Sequence, residues 1–178
     1  MTIDSKKVRK LHLGGQQYHA DWEIFDALPG EHVQHQGDAI DLSRFADNTF
    51  AEIYASHILE HFGIDEVPIV LSEWRRVLQP EGFLYISVPR LDLLCQLFID
   101  PKLDIHQRMH VLNMIYGAQT TSYDFHKIGF TLEILIGCLA SVGFTKAQIK
   151  DRFELFNDTS GVKLANGSYI SLNVIAQK

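Results

Sequence analysis

Residues 50–89 read FAEIYASHILEHFGIDEVPIVLSEWRRVLQPEGFLYISVP, and this stretch decides the fold. Phe50 to Ala55 is a short apolar run of strand type, followed at Ser56-His57-Ile58-Leu59-Glu60-His61-Phe62 by a short helical or loop segment. Val67, Val70, Leu71, Trp74, Val77 and Leu78 then recur at i, i+3, i+4, i+7, i+10 and i+11, the stripe of a helix with one buried face. Pro68 suits its first turn, and Pro80 and Gly82 stop it. Phe83 to Val88 is the next strand, closed by Pro89. Strand, amphipathic helix and strand in succession make one unit of a parallel α/β sheet.

The same alternation extends in both directions. Upstream, Val8 to Leu13 ends on Gly14-Gly15, Trp22 to Phe25 ends at Asp26, and Glu31 to Gln36 ends at Gly37-Asp38. Two strands thus finish on a carboxylate, at the sheet edge where open α/β folds bind ligands. About nine residues separate the first two strands, fewer than the roughly ten to twelve a helical crossover needs, so the first helix is cut to a turn. Downstream, apolar helical patterns cover Leu91 to Ile99, Ile105 to Tyr116, and Leu132 to Val142, the last ending at Gly143. Ala147 to Phe153 and Ser168 to Ala176 close the chain as strands, with Asn166-Gly167 as a turn between them, an antiparallel pair at the sheet edge. The fold class is α/β, a doubly wound, Rossmann-like and mostly parallel sheet, expected as one domain over residues 1–178.

Charge narrows the partners. The 178 residues carry 16 Lys+Arg against 22 Asp+Glu, a formal charge of -6, which argues against neutralising a phosphate backbone. A small-molecule or neutral-polymer substrate fits better, and no nucleic-acid partner is expected. The one basic run, Lys6-Lys7-Val8-Arg9-Lys10, reads as a solvated lead-in. Cys95 and Cys138 lack C-x-x-C spacing and sit in apolar helical patterns, so both are expected as buried free thiols. Met1 to Ser5 carries no signal-peptide core, and no apolar run approaches the ~18 residues of a membrane span. A cytoplasmic location and no membrane partner are the resulting expectations; nothing in the sequence indicates the oligomeric state.

With these elements placed, the chain resembles the class I S-adenosylmethionine-dependent methyltransferases, and among them a compact group of the type 11 kind. The similar stretches are Lys10–Gly15, Gly37–Leu42, Asp47–Phe50, Ile53–His61 and Trp74–Gly82, followed by Tyr123–Gly129, Phe156–Ser160 and Ile170–Ala176. Their combined order carries the likeness. The resemblance implies S-adenosylmethionine as cofactor, with the backbone of Gly14 and Gly15 against its amino-acid end. It implies that Asp26 accepts from the ribose hydroxyls, a task for which a carboxylate has two oxygens. It also implies that Asp38 and Ala39 meet the adenine, and that Ser56 joins them at the end of the fourth strand. The pattern departs at His12, where the class has an acid, and at Gln16, where it has a second glycine. Turn or cap roles for Asp26 and Asp38 stay open, and a lone His12 on a strand reads as structural.

Methyl transfer to a hydroxyl needs a group that removes its proton. His57 and His61 are four apart and would share a helix face, with Glu60 beside them, at the strand end where the methyl group should point. These three are the catalytic candidates. No metal site is expected, because the spacing lacks the Glu of H-E-x-x-H and offers no evident third ligand. Tyr123, Asp124 and His126, with Arg90 after Pro89, are the candidates for contact with a small-molecule or saccharide acceptor. Two rivals stay open: a non-catalytic protein of the same fold with weak or lost cofactor affinity, and a nicotinamide-dependent reductase resting on Gly14-Gly15 without a full G-x-G-x-x-G.

Overall fold

The computed structural model describes residues 8–164 and 167–178. In chain order its strands are β1 (Lys10–Leu13), β2 (Glu23–Asp26), β3 (His35–Gln36), β4 (Phe50–Ser56), β5 (Leu78–Pro89), β6 (Thr145–Lys150) and β7 (Ser171–Gln177). Its helices are α1 (Val67–Val77), α2 (Leu91–Phe98), α3 (Ile105–Tyr116) and α4 (Leu132–Ser141). The strands form one sheet in the order β3-β2-β1-β4-β5-β7-β6. β1 to β5 run parallel, and β7 runs antiparallel to β5 and to the edge strand β6. This is the doubly wound α/β sheet expected. Its strand order reverses between β1 and β4, so their carboxyl ends open a crevice.

One face of the sheet is built conventionally. Trp74, Leu71 and Val70 of α1 and Leu135 and Leu139 of α4 are buried against Leu11, Leu13, Ile53, Leu84 and Ile86. The α1 stripe has Pro68 in its first turn as expected but stops one residue short of Leu78, which is already extended as the cap and opens β5.

The other face differs, because no helix forms between β1 and β2. Trp22, Ile24 and Tyr54 are buried there, and Phe153, Leu155, Phe156 and Tyr85 pack on them. The segment after β6 thus does the covering that a crossover helix would do. It is tied down by Tyr54, whose hydroxyl donates to Asp158 Oδ2 at 2.7 Å, and by Asn173 Nδ2, which donates to the Asp151 and Ser160 carbonyls at 2.8 and 2.9 Å.

Several boundaries move. β3 is two residues rather than Glu31 to Gln36, because a turn closed by Val33 N–H on the Gly30 carbonyl takes up the start of that run. β5 begins at Leu78, and its pairing with β4 slips between Phe50 and Glu52, where Glu81 (φ 64°) and Gly82 form a bulge. β6 sits earlier than Ala147 to Phe153, since Phe153 leaves the strand to join the aromatic cover. Asn166 lies outside the described residues, as do Lys6 and Lys7; Gly167 has φ 84°.

The rest of the basic run is paired rather than free. Arg9 donates twice to Glu23, at 2.6 and 2.8 Å, and Lys10 meets Glu52 at 2.9 Å. Cys95 is exposed, contrary to expectation: α2 buries Leu94, and the next residue lies about 100° round the helix. Cys138 is half-buried. Among the described residues no helix is long and apolar enough to cross a membrane.

Candidate functional site

A cleft of about 500 Å³ opens at the carboxyl ends of β1, β2 and β4. Gly14, Asp26, Asp38 and Ala39 line it, together with His57, His61, Tyr123 and Asp124. Gly14 has φ 70°, a conformation that suits glycine, and its N–H donates to the Phe25 carbonyl at 2.8 Å. A Cβ on Gly14 would meet Ile58 Cδ1 at 2.6 Å, so glycine keeps the β1 loop tight against the β4 junction. Each acid holds its own turn. Asp26 Oδ1 accepts from Leu28 N–H at 2.7 Å, and Asp38 Oδ1 accepts from Ile40 N–H at 3.1 Å. One carboxylate oxygen of each is therefore spent on an Asx turn, and the second is left for the cleft. The Ala39 carbonyl is fixed from behind by Trp74 Nε1 at 2.8 Å.

The two departures at the β1 loop leave the cleft open. Gln16 is not among the lining residues, and its Oε1 occupies the place of the Cβ that Gly30 lacks. His12 is buried beneath Gly15, where a Cβ would meet its Nδ1 at 2.5 Å, and its ring stacks among Tyr54 and Phe156. Burial pushes the His12 imidazole down to about 4, so it is neutral at neutral pH. Gly15 and Ser56 support the site without lining the cleft.

The junction after β4 is a sharp corner rather than a helix carrying both histidines. His57 sits at φ 55°, and a single 3-10 turn, Leu59–His61, follows. His57 and His61 do not share a helix face; they share a wall, because both line the cleft and also a second cavity of about 350 Å³. Asp124 lines both spaces as well, whereas His126, Met114 and Asn113 line only the second.

Glu60 lies between the histidines and is fully buried. Its Oε1 is 3.2 Å from His57 Nδ1 and 3.9 Å from His126 Nε2, yet neither contact is aligned as a hydrogen bond, and both carboxylate oxygens lack a donor. Burial alone would raise its pKa, but the neighbouring His57 outweighs that and holds the carboxyl below its usual range. His57 Nε2 contacts Ser171 Oγ at 2.8 Å, His61 Nδ1 donates to the Phe125 carbonyl at 3.1 Å, and His126 Nδ1 donates to the Ile115 carbonyl at 3.2 Å. Burial also pushes the His126 imidazole below its ordinary value.

The loop bearing Tyr123 to Lys127 is clasped to this corner, since Lys127 N–H donates to the Glu60 carbonyl at 2.8 Å. The structure therefore brings Asp124 and His126 to the catalytic candidates, with exposed Tyr123 at the rim of the cleft. Arg90 stands apart: it is exposed, pairs with Asp92 at 3.1 Å and lines neither cavity. The sequence reading missed Ser171 and the Phe125 and Ile115 carbonyls, contacts from 11 to 114 residues away that no local pattern announces. It also missed Lys127 and Glu66, which line the cleft and pair at 3.5 Å.

Residues 16–86 match the family model described as methyltransferase domain, a span that begins just after the glycine pair. No curated protein matches the chain in sequence. Among solved structures, a SAM-dependent methyltransferase from Archaeoglobus fulgidus is similar with a TM-score of 0.62 and 18% identity, over 97% of this chain and 87% of that one. A methyltransferase from Mesorhizobium loti gives 0.61 and 15%, over 96% and 91%. Human N-acetylserotonin methyltransferase, in complex with SAM, gives 0.55 and 15%, over 96% of this chain but 47% of its own length. Residues 16–86 are thus similar to the methyltransferase domain model, and the chain shares the fold of these solved SAM-dependent methyltransferases.

Proposed function

We propose that the chain binds S-adenosylmethionine in the cleft between Gly14, Asp26 and Asp38 and transfers its methyl group to a small-molecule or saccharide acceptor. The observation that supports this most is the pair of aspartates, each holding one oxygen in its own turn and leaving one toward a common cleft. Volume agrees, since about 500 Å³ falls within the ~300–1,000 Å³ of small-molecule sites. Asp26 takes the ribose hydroxyls and Asp38 with the Ala39 backbone takes the adenine, while Gly14 admits the amino-acid end. When bound, the cofactor supplies a methyl group already activated on a sulfonium.

What remains for the protein is to place the acceptor and take up its proton. The second cavity adjoins the cleft through His57, His61 and Asp124, and the acceptor enters there. His61 is the better placed base: the Phe125 carbonyl can only accept, so Nδ1 carries the hydrogen and Nε2 keeps its lone pair. His57, engaged at Ser171 and beside Glu60, orients the corner. Asp124 and His126 bound the acceptor's side.

Titration calorimetry of the full chain with S-adenosylmethionine and its demethylated product tests the reading. Binding in the micromolar range, weakened in the Asp26→Ala variant, is expected. No heat at millimolar ligand would overturn it and leave the non-catalytic alternative standing.

A further inference from the structure

We infer that Glu60, His61 and His126 form a binding site for one divalent first-row metal ion, at the wall shared by the cofactor cleft and the second cavity. The inference deepens the reading above by naming what activates an oxygen-bearing acceptor, though the site itself is argued without it.

One carboxylate oxygen of Glu60, a ring nitrogen of His61 and one of His126 all lie within 4.8 Å of one another. Glu60 is fully buried, and neither of its oxygens receives a hydrogen bond. Its nearest nitrogen is His57 Nδ1, 3.2 Å from Oε1; a buried anion so sparsely paired is costly and leaves room for a further cation among its neighbours. The two imidazoles are prepared for the same partner. His61 and His126 each donate Nδ1–H to a backbone carbonyl, of Phe125 and Ile115 respectively, which leaves both Nε2 lone pairs free. Metal-bound histidines are held in this way by their second nitrogen.

His126 Nε2 faces Glu60 Oε1 at 3.9 Å, so two electron-pair donors look at each other with no hydrogen between them. That separation is too long for a shared proton. It suits two ligands of a single ion bound at about 2.1 Å from each.

The chemistry of the set is selective. Two imidazoles and one carboxylate match the three protein ligands of catalytic zinc sites, which keep a further position open. Three ligands around a tetrahedral ion stand roughly 3.4 Å apart, so donors within 4.8 Å of one another need to draw in by up to about 1.4 Å. The loop carrying His126 is clasped to Glu60 through Lys127 and Ile128, which fixes the third ligand on the same corner. The second cavity, which His61 and His126 both line, takes the open position. An acceptor hydroxyl bound there loses its proton more readily, and His61 then serves as ligand rather than base. The sequence reading found no third ligand because His126 lies 65 positions after His61 and is brought back only by the loop.

The test is zinc titration of the full chain after chelator treatment, read by calorimetry and elemental analysis, with cobalt(II) absorption as a coordination signature. One zinc per chain is expected, with visible bands of low-symmetry cobalt. His61→Gln and His126→Gln, on separate segments, should each weaken binding by about 100-fold or more while the circular dichroism stays native. No zinc bound by the wild-type chain overturns the inference, whatever the variants do. So does binding that survives both substitutions, which would place the ion on exposed histidines such as His106 and His110 of α3. Cofactor titration of the metal-free chain separates the readings: zinc binding without cofactor binding leaves the metal site standing and removes methyl transfer.

Discussion

Trp74 Nε1 donates to the Ala39 carbonyl at 2.8 Å, and both residues are buried. One hydrogen bond thus joins the middle of α1 to the loop that presents Asp38 to the cleft. Trp74→Phe keeps an aromatic ring in the core but leaves that carbonyl without its donor. A stability loss of about 1–3 kcal/mol is expected from the unsatisfied carbonyl, more if the smaller ring leaves a void. On the proposed reading, cofactor affinity should fall with it, because the loop of Asp38 and Ala39 loses its anchor. Denaturant unfolding and cofactor titration on the same variant check both; an unchanged affinity would separate the Ala39 loop from binding.

Asp26 serves two masters, the Leu28 N–H through Oδ1 and the cleft through its other oxygen. Asp26→Ala removes both. Its cost in stability should stay near 1 kcal/mol, the worth of one turn hydrogen bond, whereas affinity for the cofactor should fall by about 10-fold or more, the loss of charge-assisted bonds. Equal losses of stability and affinity would reduce Asp26 to a turn residue.

Tyr54 reaches from the middle strand of the sheet to Asp158, 104 positions later in sequence, and also contacts Ser160 Oγ at 3.1 Å. Burial and the Asp158 carboxylate push its phenol well above the ordinary value, so it stays a donor at every working pH. Tyr54→Phe should cost about 1–2 kcal/mol and, more tellingly, loosen residues 151–162. Faster amide exchange confined to that segment is the expected readout.

The buried His12 imidazole titrates at about 4 when folded, against 6.5 in the unfolded chain, mainly through burial. Between those two values the unfolded state holds the extra proton, so stability falls as pH drops from 6.5 toward 4 and is unaffected by this group above 6.5. The full effect is about 3 kcal/mol. His12→Leu should remove that part of the acid sensitivity, seen as a flatter unfolding free energy across the window; an unchanged slope would assign it to other groups.

The sequence alone determined what depends on local pattern. The α1 stripe from Val67 to Val77 follows from apolar spacing and Pro68, and the parallel order follows from strands and helices that alternate. The acids at the ends of β2 and β3 follow from turn chemistry, and the missing first helix from a count of residues. Likeness of motif order then pointed to Gly14, Asp26, Asp38 and Ala39, which line one cleft. Tertiary structure alone decided everything that depends on distance in sequence. It turned the His57 to His61 segment from a shared helix face into a corner, because the left-handed backbone at His57 breaks the helix before it starts. It moved Phe153 off the closing strand and set it with Phe156 over a sheet face left bare by the absent helix. It also brought His126 back to Glu60, through main-chain hydrogen bonds that depend on where the chain returns rather than on which side chains it carries there. The scaffold of the cleft was legible in the sequence, and the wall where an acceptor would meet it was not.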